Sequence, residues 1–299
     1  MDASQTSPIH VNRSVRTPTD WAIGLLFGFG NQALFVLTVW YLFWFLRDGH
    51  IHPSKGNWLV RDCGLAILFA VSHSLMLAPP IRKKLTRWVP TAFYDSLFCV
   101  VTCVSLLALF FGWQNSEIVV WHATGAAEAV IRGCFYLSWA ALLYSLALTG
   151  LGYQNGWTPF YYWLIDRKPP RREFKPRGAY KMIRHPVYLS FLGLVWFTPD
   201  MTLDHTALTA IWTAYIFYGS FLKDRRLEHY IGQPYKDYES RVPGYPCMKP
   251  GGLAGRFAAR VPGAQGVAGT HGVQGNQGVP FRGAARPATS QDSGVLQHE

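Results

Sequence analysis

Apolar residues occupy the first three quarters of the chain in long runs, and most polar positions fall between the runs rather than inside them. The runs are Asp20–Leu46, Cys63–Ala78, Thr91–Trp113, Val130–Gly152 and Leu203–Leu222. Each is close to the roughly 20 residues an α-helix needs to cross bilayer hydrocarbon. Val187–Thr198 is shorter and bounded by Pro186 and Pro199, so it reads as half of a helical hairpin with the following segment. The pattern predicts an all-α integral membrane protein with about six transmembrane segments, the last two a hairpin. A short cytoplasmic C-terminal helix and a disordered tail complete the expected fold.

Composition sharpens this picture. Of 299 residues, 49% are hydrophobic and 15% charged, against about 25% charged in a soluble domain. The excess of twelve tryptophans suits a lipid interface. The first run is too long for the apolar core of a signal peptide, and no small-residue cleavage site follows it, so no cleaved leader is expected.

The net charge of +11 serves as a topology signal and carries no expectation of nucleic acid. Arg82, Lys83, Lys84 and Arg87 lie together without an acid, and eight basic residues lie between Arg167 and Arg184 against Asp166 and Glu173. Glu117, Glu128, Asp200 and Asp204 fall in the alternate connections. Basic loops remain cytoplasmic, so both termini are expected there.

Along the chain, residues 1–19 read as a mobile N-terminus and 20–222 as the membrane body. Residues 223–247 read as an amphipathic cytoplasmic segment that covers a cofactor, ending in a turn at Pro243–Gly244. From Met248 to Glu299 the composition turns to Gly, Ala, Pro, Val and Gln. Gly263, Gly266, Gly269, Gly272, Gly275 and Gly278 keep a three-residue period, with too little proline for a collagen triple helix. Such a tail has nothing to bury and is expected to be disordered.

Three places could carry chemistry. In "RHPVY", Arg184 and His185 stand at the threshold of an apolar helix, and Tyr188 shares a helix face with His185. The start of that helix favours an anion, so a ligand with a carboxylate and a cation fits, the carboxylate on Arg184 and the cation on tyrosine. Asp224 and Glu228 share a face four residues apart, and Tyr235 and Tyr238 follow; they suit a lid whose carboxylates hold ribose or amino groups. His73, in "SHSLM", is an ionisable residue at membrane depth and therefore a functional candidate or a helix-bonded neutral imidazole. Cys99 and Cys103 are one turn apart and cannot complete a metal site, so no metal is expected. Neither GxGxxG, a P-loop, HExxH nor GxSxG occurs.

"IRHPVYLSFLG", some two dozen mostly apolar residues, and then "LKDRRLEHYIGQPYKDYESRVPG" resemble the isoprenylcysteine carboxyl methyltransferase family. Within it the chain is most similar to the bacterial methanethiol S-methyltransferases and NnrU-type membrane proteins. "SHSLMLAPPIRKKLTRWVPTAFYDS" is similar to a segment of the same proteins, and the resemblance covers roughly residues 58–247. Lys223–Asp224 stands where the family commonly has a Glu-Glu pair.

The resemblance implies S-adenosylmethionine bound on the cytoplasmic side by Arg184, His185, Tyr188, Asp224, Glu228, Tyr235 and Tyr238. His185 is the catalytic candidate, able to take a proton from a thiol. The acceptor is expected to be small and apolar, or lipid-linked, and to enter from the bilayer. Two other readings remain open: a membrane reductase of similar pocket design using a nicotinamide cofactor, and a non-catalytic NnrU-type protein.

Overall fold

The structure is a computed structural model and describes residues 16–49, 57–170 and 173–251. The expectations for the mobile N-terminus before Arg16, the collagen-like triplets and the rest of the tail after Gly251 lie outside the described residues, as do Arg171 and Arg172. The chain forms two compact units. The first holds residues up to Pro169 together with His185–Ser220, and the second holds Pro170–Arg184 and the chain from Phe221.

The first unit is a helical bundle. Helix α1 spans Pro18–Asp48, and Thr17 and Asp20 cap its N-terminus reciprocally, with Pro18 in the first turn. Helix α2 is Trp58–Leu77, α3 Pro79–Leu85, and α4 Tyr94–Gly112, entered through a single 3-10 turn at Thr91–Phe93. Strand β1, Val119–His122, leads into α5, Gly125–Thr149, and two short helices follow, α6 at Leu151–Gln154 and α7 at Trp157–Leu164. Helix α8, Pro186–Trp196, is followed by strand β2, Asp200–Thr202, and by α9, Leu203–Ile231, whose last turns belong to the second unit.

Among the described residues four helices, α1, α2, α4 and α5, are long and apolar enough to cross a membrane. Their outward positions are as hydrophobic as their inward ones: Leu26, Val36 and Trp40 of α1 and Leu137 and Leu143 of α5 are exposed. A helix that is apolar all round needs hydrocarbon on its outer face, and the chain is a multi-pass membrane protein. Inside, Leu46, Leu109, Trp113, Leu142, Leu194 and Leu208 belong to one buried cluster.

The expectation of an all-α fold is corrected in one detail. β1 and β2 pair antiparallel, with Trp121 opposite Met201, and form a two-stranded ribbon. Ile118–Trp121 is a β-branched and aromatic stretch, and such residues favour a pleated pair over a loop. The ends of α4 and β1 are also fastened by acids: Asp204 accepts from the Trp113 indole Nε1 at 3.0 Å and from the Ser116 amide at 2.9 Å. Helices α6 and α7 hold their place partly through Asn31 and Gln32, whose side-chain amides donate to the Asn155 carbonyl at 2.7 and 3.2 Å. Gly156 between them has φ of 77°, and a Cβ there would come within 2.6 Å of the Ser96 amide nitrogen, so only glycine fits.

The second unit contains a 3-10 turn at Gly178–Lys181, the end of α9, and α10 at Gln233–Arg241. The amphipathic helix expected after residue 222 is therefore two pieces. α9 continues through it to Ile231, and Gly232, at φ of 72°, separates α9 from α10.

Candidate functional site

Arg184 organises the second unit. Its amide donates to the Pro243 carbonyl at 2.9 Å. Nη1 donates to the Glu239 and Val242 carbonyls at 3.1 and 2.8 Å, so the cation sits where α10 exposes its last carbonyls, the favoured place for it. Nη2 lies 3.0 Å from Asp224 Oδ2 and 3.1 Å from Glu239 Oε1. The residue is only 4% exposed. A snorkelling anchor would keep its guanidinium in water or headgroups; this one is enclosed between two carboxylates. Nε is buried and has no hydrogen-bond partner among the described residues.

Aromatic side chains enclose the ion pairs. Tyr235 is buried and donates its hydroxyl to Asp224 Oδ1 at 2.5 Å. Tyr238 donates to the Tyr180 carbonyl at 2.6 Å. The two tyrosine rings lie 5.7 Å apart, and Phe174 packs on both at 5.5 and 5.4 Å. Phe174 itself is partly exposed. Lys223 reaches over the Tyr180 ring, its Nζ 5.7 Å from the centroid.

The charges feel this enclosure. Burial, reinforced by a side-chain hydrogen bond with Glu228, pushes the Glu239 carboxyl up to about 7, although Arg184 pulls the other way. Burial first, and then the Asp224 charge, raises the Tyr235 phenol and keeps it a hydrogen-bond donor. Burial lowers the Lys223 ammonium to about 8, against the opposing pull of Asp224. A cation, an acid close to neutrality and several fixed hydroxyl groups thus share one small volume.

Five of the seven sequence-predicted residues, Arg184, Asp224, Glu228, Tyr235 and Tyr238, lie in this one unit. His185 and Tyr188 lie in the first unit. His185 is the N-cap residue of α8 with Pro186 in the first turn, and its ring meets the Tyr188 ring edge-on at 5.5 Å. Glu239, Phe174 and Tyr180 were missed. Glu239 had a readable signal, because it follows Tyr235 by four residues and shares its helix face. Phe174 and Tyr180 had none, since only the folded path of the basic loop brings them to Tyr235, Tyr238 and Lys223.

The chain is 31% identical over 189 residues to the methanethiol S-methyltransferase of Pseudomonas deceptionensis, covering 62% of this chain and 71% of that one. It belongs to the methanethiol S-methyltransferase family. A second relative of that name, from a Pseudomonas species, is 29% identical over 228 residues, 73% of this chain and 88% of its own. The chain is also similar to Nurim of Danio rerio, 25% identical over 180 residues, 57% of this chain and 64% of that protein. No family model matches the chain, and no solved structure matches it.

Proposed function

We propose that the protein is an integral-membrane methyltransferase that takes the methyl group from S-adenosylmethionine and gives it to a small apolar or lipid-linked acceptor, a thiol in the first instance. In this reading α8 and the apolar part of α9 form a hairpin that brings the membrane segments to about six, with both termini on the cytoplasmic side of a bacterial inner membrane. The basic loops around Arg82 and Arg177 support that orientation.

The observation that carries the proposal is the Arg184 cluster in a chain of this family. S-adenosylmethionine presents a carboxylate, an ammonium, ribose hydroxyls, an adenine and a sulfonium. The second unit offers counterparts for most of these. Arg184 Nε is a buried N–H donor without an acceptor, suited to the carboxylate. Asp224, Glu228 and Glu239 suit the ammonium and the hydroxyls, and the Phe174 and Tyr238 rings suit the adenine or the sulfonium. Nε is enclosed, so a ligand reaches it only when the chain around it opens, which supports residues 223–247 as the cofactor-covering segment.

The donor, when bound, supplies a methyl group on an already activated leaving group. The protein's share is then alignment and a dry pocket, and a site with few acid-base residues is adequate. His185 and Tyr188 are proposed at the donor on the strength of their places beside Arg184 in the chain. His185→Ala is expected to lower turnover more than donor affinity.

Calorimetry of the purified protein in detergent tests the reading. S-adenosylmethionine and its demethylated product are expected to bind, and NADPH is not. Binding of NADPH alone would favour a reductase, and binding of none would favour a non-catalytic membrane protein.

A further inference from the structure

His73 has no task in the scheme above, yet it belongs to a polar cluster inside the first unit. His73 Nδ1 lies 2.7 Å from the Tyr215 hydroxyl oxygen, and Ser74 Oγ donates to the same oxygen at 3.2 Å. His73 and Ser74 stand near the end of α2, and Tyr215 stands on α9. The imidazole faces the Phe98 ring of α4 edge-on at 5.1 Å and the Phe69 ring of its own helix at 5.8 Å. Tyr215 is the titratable group opposite it. Both His73 and Tyr215 are only half-buried, so the cluster is reachable from the side.

A phenol has one proton to donate and two lone pairs. If the Tyr215 proton goes to His73 Nδ1 and Ser74 takes one lone pair, the second lone pair can accept from a further donor. There is open space one turn along the helix. One turn along α9 stands Gly219, where an added Cβ would meet a single neighbour within 4 Å, Tyr188 Cε1 at 3.7 Å. Tyr188 is in turn packed edge-on by His185. The Tyr215–Gly219 strip thus runs from the His73–Tyr215 pair at one end to Tyr188, packed by His185, at the other.

We propose that Tyr215 and His73 are the acceptor end of the reaction and remove the proton of a small alkanethiol that arrives through the lipid. The proposal rests on the methyltransferase reading above. A neutral thiol partitions into hydrocarbon, whereas the nucleophile is the thiolate, so the proton has to be taken where the thiol is bound. The thiol S–H proton passes to the Tyr215 oxygen as the Tyr215 proton passes to His73 Nδ1. The thiol sulfur forms the new S–CH3 bond while the donor's S–CH3 bond breaks, its electron pair staying on the donor sulfur. The products are a thioether, the neutral demethylated donor and a protonated His73, so the single positive charge moves from the sulfonium to the imidazole.

The test uses full-length protein in detergent, methanethiol and S-adenosylmethionine, with thioether formation followed from about pH 6 to about pH 10 and donor binding measured separately by calorimetry. Tyr215→Phe and His73→Gln are expected to lose roughly a hundredfold or more in turnover near neutrality while binding the donor as the wild type does. Their rates should then climb about tenfold per pH unit and approach the wild type as the thiol ionises in solution. The wild-type profile should level off well below the pH at which free methanethiol ionises, a readout that stands even if a variant fails to accumulate. A loss equal at every pH, no loss, or a wild-type rate that simply tracks thiol ionisation would overturn the proposal. A wild-type protein that binds no S-adenosylmethionine would contradict the methyltransferase reading itself.

Discussion

In the first unit Asp204 is buried against neutral donors, the Trp113 indole and the Ser116 amide, whereas in the second unit Asp224 is buried against the Arg184 guanidinium and the Tyr235 hydroxyl. The first arrangement closes a turn: the acid holds the chain where α4 gives way to β1, and no cation is needed. The second assembles a charge cluster, in which one guanidinium serves two carboxylates and two helix-end carbonyls at once. Buried ion pairs of this kind give little net stability, but they are costly to break because the surviving partner stays buried. Asp204 therefore reads as a fastener, and the cluster of the second unit as a preformed polar site.

The sharpest way to break the comparison is Arg184→Met, which leaves Asp224 and Glu239 without their cation. We expect a loss of about 3–5 kcal/mol in the second unit, seen as a lowered thermal midpoint in detergent. Asp204→Ala removes a partner from one indole and one amide, both neutral and local. A loss of about 1–3 kcal/mol is expected, with donor binding retained. If Asp204→Ala abolished donor binding while Arg184→Met did not, the roles assigned to the two regions would have to be exchanged.

Glu239→Gln gives the smallest effect at acidic pH and the most informative pH dependence. The folded protein holds the Glu239 carboxyl at about 7, above its ordinary value of 4.5. The stability this contributes is present below the ordinary value and is lost as pH rises through about 7. Glu239→Gln, neutral throughout, should match the wild-type thermal midpoint below the ordinary value and keep it as the wild-type midpoint declines, so the two differ most above about pH 8. A wild-type midpoint that rises across the same window would contradict the assignment.

Much of this was legible in the residues. The four longest apolar helices were readable because length and hydropathy speak without tertiary context. The Arg184, Asp224, Tyr235 and Tyr238 grouping was readable because the resemblance joined two stretches forty residues apart. Glu239 was overlooked although helical spacing put it beside Tyr235, since in an exposed helix an acid among lysines and arginines looks like a solvated face. The β1–β2 ribbon was hidden because two strands of four and three residues carry too little periodicity to stand out between apolar helices. The break at Gly232 was hidden for another reason: α9 runs on past Leu222 to Ile231, so the end of the apolar run and the end of the helix do not coincide.

The central claim is that Arg184 belongs to a donor site and is more than a bolt for α10. Titration of S-adenosylmethionine into wild-type protein and Arg184→Lys tests it most directly, because lysine keeps the charge facing Asp224 and Glu239 but has neither the guanidinium fork nor an Nε donor. Loss of one charge-assisted contact is worth about 1.5–3 kcal/mol, roughly a ten- to hundredfold rise in Kd, and that is the predicted result. Wild-type affinity in a folded Arg184→Lys protein would contradict it.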